Sequence, residues 1–187
     1  MLITAFPRSG SHFLRESIIL NYNIKENIDK THTPDRGKNA VTVIRNPKEC
    51  ISSLISMDIL FHRPLYLPEQ NSDAFFIQRI NQLCDSYIDS IEFCHKHIKE
   101  IYPIKFDDLV LNPDIEIKKM LNHYNIKYKY KNSLIYIEDD YNRNFVASSK
   151  QIKEYDKIYE LVTPLVVNAE LTYNSMIKAI DNKEHLS

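Results

Sequence analysis

Glycine is nearly absent from this chain. Its 187 residues include two, Gly10 and Gly37, so each is expected where the backbone has no cheap alternative. Cysteine is limited to Cys50, Cys84 and Cys94, an odd number without CxxC spacing, which argues against a disulfide framework and for reduced thiols in a cytoplasmic chain. No apolar run approaches the roughly 20 residues that cross a bilayer, so no membrane insertion is expected. The opening Met1–Phe6 lacks a basic leader and runs into Pro7-Arg8, unlike a signal peptide. Excess charge is missing too: 24 Lys+Arg against 25 Asp+Glu leave a net charge of -1. Bulk electrostatic attraction to nucleic acid is thereby excluded, and any anionic ligand must be held by a local basic cluster. What is present is ordinary for a globular chain, 43% hydrophobic and 26% charged residues, enough for one domain spanning 1–187 around a sizeable core.

The pattern along the chain predicts alternating strands and helices. Leu2–Phe6 reads as a short strand, Pro7–Ser11 as a tight turn, and Phe13, Leu14, Ile18 and Tyr22 as the apolar stripe of a helix. The polar stretch 23–39 carries Lys30-Thr31-His32 and no long element. Ala40–Ile44 is β-branched and reads as a buried parallel strand. Asn46 is placed to cap the next helix, with Pro47 in its first turn and Glu49 reaching back. That helix carries Ile51, Leu54, Ile55 and Ile59, and 61–72, with Pro64 and Pro68, follows as a loop.

The strongest helical stripe runs from Phe76 through Ile80, Leu83, Tyr87, Ile91 and Cys94 to Ile98. Ile101–Phe106 reads as another strand, ended by Asp107-Asp108, and Asn112-Pro113 opens a helix in the manner of Asn46-Pro47. The stretch 127–146 is aperiodic and rich in Tyr and Asn, and the C-terminal region is helical twice, split near Pro164. The fold class expected is α/β, a P-loop-like three-layer sandwich with a central parallel sheet flanked by helices. Ligands in such sheets sit beyond the carboxyl ends of the strands, where both basic turns, Pro7–Ser11 and Arg45–Pro47, fall.

Each turn suits an anion. Gly10 lets the chain curl so that amides from Ser9 to Phe13 open toward a ligand at a helix start, with Arg8 adding charge and Ser9 and Ser11 adding hydroxyls. A strand–helix turn with an exposed arginine accounts for the same residues. Arg45 at a strand end and Ser53 about two turns into a helix can grip one phosphate from two sides, or can close the sheet end. Lys30 and His32, two apart in an extended segment, pair a fixed cation with a titratable base.

Taken in order, Phe6-Pro7-Arg8-Ser9-Gly10-Ser11, then Lys30-Thr31-His32, then Arg45-Asn46-Pro47 with Ser53 eight residues after Arg45, then Phe106-Asp107-Asp108-Leu109, the chain resembles the PAPS-dependent sulfotransferases over its first two-thirds. The resemblance implies that Ser9, Gly10 and Ser11 cradle the 5′-phosphosulfate of PAPS and that Arg8 stabilises the leaving phosphate; His12, inside the same loop, reads either as a donor contact or as a surface histidine at a helix start. It implies that Phe13 stacks on adenine, that Arg45 and Ser53 hold the 3′-phosphate, and that His32, aided by Lys30, is the general base on an acceptor hydroxyl or amine. The resemblance further implies that the product is PAP, that no metal takes part, and that the acceptor is a small molecule or a glycan. The segment before Lys30 is shorter than in the animal enzymes, and the family's C-terminal R-K-G segment has no clear copy, leaving Arg143 or Ser148-Ser149-Lys150 in its place.

Two other functions fit parts of the pattern: a kinase-like phosphoryl transferase, although GxxxxGK[ST] is absent, and a catalytically degenerate PAP-binding protein. Cys84, Cys94, His95 and His97 lie on one amphipathic helix and read as core and solvated face rather than a metal site. Tyr124, Tyr128, Tyr130, Tyr136 and Tyr141 line an acceptor pocket or form a half-buried edge, and Asp139-Asp140 read as surface charges. The Ile-, Lys- and Asn-heavy composition fits an AT-rich bacterial or viral genome, so the cytoplasm expected is the cell's own or a viral host's.

Overall fold

The computed structural model describes residues 1–37, 39–60, 73–131 and 155–182. The loop 61–72, Tyr136, Asp139-Asp140, Tyr141, Arg143 and Ser148–Lys150 lie outside the described residues, as does the side chain of Ile59. In chain order the elements are β1 (Leu2–Thr4), α1 (Ser11–Asn21), β2 (Tyr22–Asn23), β3 (Asp29–Thr31), β4 (Ala40–Ile44), α2 (Pro47–Leu60), α3 (Asp73–Lys96), β5 (Ile101–Lys105), α4 (Phe106–Leu111), α5 (Pro113–His123), β6 (Lys129–Tyr130), α6 (Tyr155–Val162) and α7 (Val167–Asp181).

The central sheet has four parallel strands in the order β3-β1-β4-β5. Ile3 stands opposite Lys30 on one side and Val41 on the other, and Val41 stands opposite Tyr102. Side chains alternate across the sheet, as the two-residue strand period requires. Ile3, Val41, Val43, Tyr102 and Ile104 join Leu14 and Ile18 of α1 and Ile117, Met120 and Leu121 of α5 in one cluster. Ala40, Ile44 and Ile101 turn the other way, to Ile51 and Ile55 of α2, Ile80, Tyr87 and Ile91 of α3, Val162 of α6 and Met176 of α7. Helices cover both faces, which makes the three-layer α/β sandwich. Pro103 is tolerated in β5 because that strand is an edge of the sheet, with no neighbour awaiting an amide on its outer side. Among the described residues no helix is long and apolar enough to cross a membrane.

The structure departs from the sequence reading at several places. The polar stretch 23–39 contributes a fourth strand, β3, whose residues are exposed or half-buried and so lack the apolar alternation that marks a strand. Tyr22 leaves the helix and pairs antiparallel with Tyr130, giving a second, two-stranded sheet, β2-β6. Phe106 does not end a strand but opens α4. Glu49 does not complete a capping box: its carboxylate binds Arg45, a stronger partner than a neutral amide, while Asn46 caps alone by accepting the Lys48 N–H at 2.9 Å. Asn112 gives α5 no side-chain cap; its backbone N–H closes α4 on the Asp108 carbonyl.

The described tyrosines do not gather into an acceptor wall. Tyr124 donates to the Ala40 carbonyl and accepts from the Tyr102 N–H, bracing the sheet. Tyr128 meets Tyr22 edge-on and Tyr130 lies tilted against it, with ring centroids at 5.5 and 5.2 Å, at the end of α1 far from its start. Cys84 and Cys94 are buried in the core face of α3.

Candidate functional site

Three strand ends and the start of α1 meet on one side of the sheet. After β1 the chain turns through Ala5–Gly10, closed by the Ser9 N–H donating to the Phe6 carbonyl at 3.2 Å. Within that turn Arg8 has φ 67° and Gly10 has φ 97°. A Cβ at Gly10 would stand 2.6 Å from Cδ2 of Phe106, so both backbone and neighbour demand glycine. Among the described residues no side chain caps α1, and its first turn holds no acidic residue. No carboxylate of the first turn therefore offsets the positive end of the helix, a condition that favours an anion. Ser9 and Ser11 are both buried, and the Ser9 hydroxyl turns inward to Cys50 Sγ at 3.7 Å. The Ser9 hydroxyl is thus engaged on the inner side of the turn.

The second tip, at the end of β4, touches the first. Arg8 Nε donates to Ser53 Oγ at 3.0 Å, and Arg45 Nη1 donates to the Arg8 carbonyl at 3.0 Å. Arg45 and Ser53, paired in the sequence reading, are therefore not bonded to each other. Ser53 holds Arg8 instead, because Arg45 is drawn outward by Glu49, whose Oε2 lies 2.9 Å from both Nε and Nη2. The Arg45 guanidinium also lies over the Phe106 ring, 4.2 Å from its centroid. Beneath, the buried Tyr87 hydroxyl donates to the Arg45 carbonyl at 2.7 Å.

The third tip follows β3. Ala5 N–H donates to the Thr31 carbonyl at 3.3 Å, and Thr4 Oγ1 donates to the Thr33 carbonyl at 2.9 Å, tying 31–33 to the end of β1. His32 is exposed, with Nδ1 at 3.0 Å from the Ala5 carbonyl. A carbonyl only accepts, so Nδ1 carries the hydrogen and the neutral ring keeps its lone pair on Nε2. That is the tautomer a general base requires.

The electrostatics of the three tips agree. Burial, then the nearby charge of Arg45, lowers the Arg8 pKa. Burial lowers His12; Lys30, Arg15 and Arg8 push it the same way, and Glu16 opposes them. Burial and then Arg15 lower Lys30, with Arg8 adding to the effect. The directions share a cause: burial comes first for each, and neighbouring cations add to it, with Glu16 opposing them at His12 and Lys30.

Phe13 does not fit its expected role. It is 9% exposed and packed in the core cluster with Leu14 and Ile18, so its ring is spent on the core rather than offered to adenine. Conversely, Phe106 and Glu49 shape the site in ways the sequence reading did not assign. An i,i+4 relation between Arg45 and Glu49 was the available signal for one of them. Contact between Phe106 and Gly10 spans the fold and has no local signal. An open groove lined by Asn23, Lys25, Asn122, Asn125 and Tyr128 lies elsewhere; it contains Tyr128 of the tyrosine set but none of the residues expected to bind the donor or act as catalysts. Comparison of the chain with family models, with curated proteins and with solved structures finds no match.

Proposed function

We propose that the chain transfers a sulfuryl group from PAPS to a hydroxyl or amine acceptor, a small molecule or a glycan, in the manner of the sulfotransferases its motifs resemble. The observation that carries this reading is the joining of two distant basic turns, through Arg8 on Ser53 and Arg45 on the Arg8 carbonyl. One bisphosphorylated nucleotide can then span both. PAPS supplies an activated sulfuryl group on a phosphate leaving group. The start of α1 and Arg8 take the 5′ end, and Arg45 with the adjoining Ser53 takes the 3′-phosphate.

His32 Nε2 accepts the acceptor's proton as the acceptor oxygen bonds to sulfur. The S–O bond to the 5′-phosphate breaks, and its electron pair stays on phosphate. Lys30 and Arg8 stabilise the charge that shifts onto the bridging oxygen. No metal enters this scheme. The buried, reduced thiols suit a cytoplasmic setting.

A calorimetric titration with PAP, followed by incubation with PAPS and a panel of hydroxyl acceptors, tests the reading. PAP binding in the low-micromolar range, weakened by Arg45→Ala, is the expected result. No binding at high-micromolar PAP, affinity unchanged in Arg45→Ala, or a preference for ATP overturns it. Tight PAP binding with no turnover, and no effect of His32→Ala, identifies the degenerate binding protein instead.

A further inference from the structure

We infer that Glu49 and Phe106 are positioning residues that present one edge of Arg45 to the anion, and that Glu49 strengthens anion binding although it carries a negative charge. This inference rests on the proposed use of Arg45 as an anion-binding group. A guanidinium is a flat fork with N–H groups on three sides. In Arg45 the side formed by Nε and Nη2 is bound by Glu49 Oε2, at 2.9 Å to each. Nη1 donates to the Arg8 carbonyl at 3.0 Å, and one face of the plane rests on the Phe106 ring at 4.2 Å from its centroid.

With the Nε and Nη2 side taken by Glu49, a bidentate oxyanion would meet the fork between Nη1 and Nη2, sharing Nη1 with the Arg8 carbonyl. The side chain of Arg45 is 12% exposed, whereas that of Glu49 is 47% exposed. Glu49 therefore sits at the rim, where water screens its repulsion of a ligand, while its hold on Arg45 is directed inward. Phe106 adds a second function: the same ring that supports Arg45 packs on Gly10, where a Cβ would lie 2.6 Å away. One aromatic ring thus sets the spacing between the two anion-binding turns.

The sign of a single substitution decides the matter. If Glu49 merely competes with the ligand for Arg45, Glu49→Gln raises anion affinity. If it orients Arg45, the same change lowers affinity despite removing a negative charge. The expected result is about a fivefold loss of affinity for PAP and for pyrophosphate in Glu49→Gln, from a difference of about one kcal/mol. Glu49→Asp is expected to restore part of it. Phe106→Leu is expected to lose a similar factor, and circular dichroism checks its folding.

The Nε–Hε resonance of Arg45 gives a readout free of ligand. It is expected to be shifted and protected in the wild type and to return toward solvent-exposed values in Glu49→Gln. Affinity that rises or holds steady in Glu49→Gln overturns the inference while leaving the proposed function intact. Pyrophosphate binding that depends on Arg45, without any PAP binding, overturns the proposed function and leaves the inference standing. Absence of both overturns both.

Discussion

Substituting Gly10 with alanine tests how the two turns are held together. Two separate costs apply. Gly10 has φ 97°, outside even the left-handed basin that L-residues tolerate. Alanine there costs about 1–2 kcal/mol in backbone strain. The new Cβ also meets Phe106 Cδ2 at 2.6 Å and Cε2 at 2.7 Å. No real contact is that short, so the ring must move, and forcing an extra methyl into packed surroundings costs about 1–3 kcal/mol. Together the loss is about 3 kcal/mol, which for a chain of this size lowers the melting temperature by about 6–12 °C. Urea unfolding followed by circular dichroism measures it.

The two costs separate in a double-mutant cycle. Adding Phe106→Leu removes the obstacle but leaves the backbone angle unchanged. Gly10→Ala/Phe106→Leu is therefore expected to be about 1–2 kcal/mol more stable than the sum of the single changes. A destabilisation below about 0.5 kcal/mol in Gly10→Ala, within the range of ordinary surface changes, refutes the reasoning as a whole. Strict additivity in the cycle refutes the steric half alone and leaves the strained φ as the cause.

Ser53→Ala removes the buried acceptor of Arg8 Nε, and the lost charge-assisted bond is expected to weaken PAP binding about tenfold. Unchanged affinity in the titration removes Ser53 from the site. His12 is held below its ordinary value by burial and by the cations Lys30, Arg15 and Arg8. A bound anion offsets those cations and raises the His12 pKa, so binding takes up a proton and affinity rises as pH falls. Titrations at pH 7.5 and 5.5 are expected to show a larger increase for wild type than for His12→Gln, which retains only the ligand's own titration. Equal slopes contradict the coupling. Burial pushes the Cys50 thiol to about 11, so iodoacetamide at pH 8 is expected to spare it in the native protein and label it in urea, as read by peptide mass. Tyr87→Phe deletes the donor to the Arg45 carbonyl and is expected to cost about 1 kcal/mol in urea unfolding, with no measurable loss if water replaces the hydroxyl.

The layers of the fold were legible because they are written in apolar periodicity. α3 follows its stripe from Phe76 to Cys94, and the continuous run Ala40–Ile44 reads directly as the buried strand β4. What escaped is what periodicity does not encode. β3 is a three-residue edge strand whose pairing with β1 comes from the backbone, and its side chains carry no apolar signature. Tyr22 lies at the end of a helical stripe, yet its hydroxyl donates to Asp114 Oδ1 at 2.5 Å, a partner 92 residues away that draws it out of the helix register. In the site, the residues were legible but their pairing was not. Arg45 and Ser53 lie eight apart and both reach the site, but Glu49, one turn from Arg45, captures the guanidinium and leaves Ser53 to Arg8.

Departures from local rules are informative because of where they gather. Among the described residues three non-glycine residues have positive φ: Arg8, Asn39 and Asn125. Asparagine tolerates that conformation and marks ordinary turns, so two of the three are unremarkable sequence choices. Arginine has no such tolerance, and Arg8 adopts φ 67° two residues before Gly10 at 97°. The same residue is partly withdrawn from water beside a second guanidinium, whose charge lowers its pKa further. A turn optimised for stability alone has no reason to combine an unfavourable backbone angle, lost hydration and like-charge repulsion in one side chain. Each disadvantage falls away or is repaid if an anion lies between the two guanidinium groups, since the turn that strains Arg8 is also the one that brings its carbonyl to Arg45 and its Nε to Ser53. The strained turn, the uncapped start of α1 and the two neighbouring guanidinium groups are the three features that the proposed anion site would draw on.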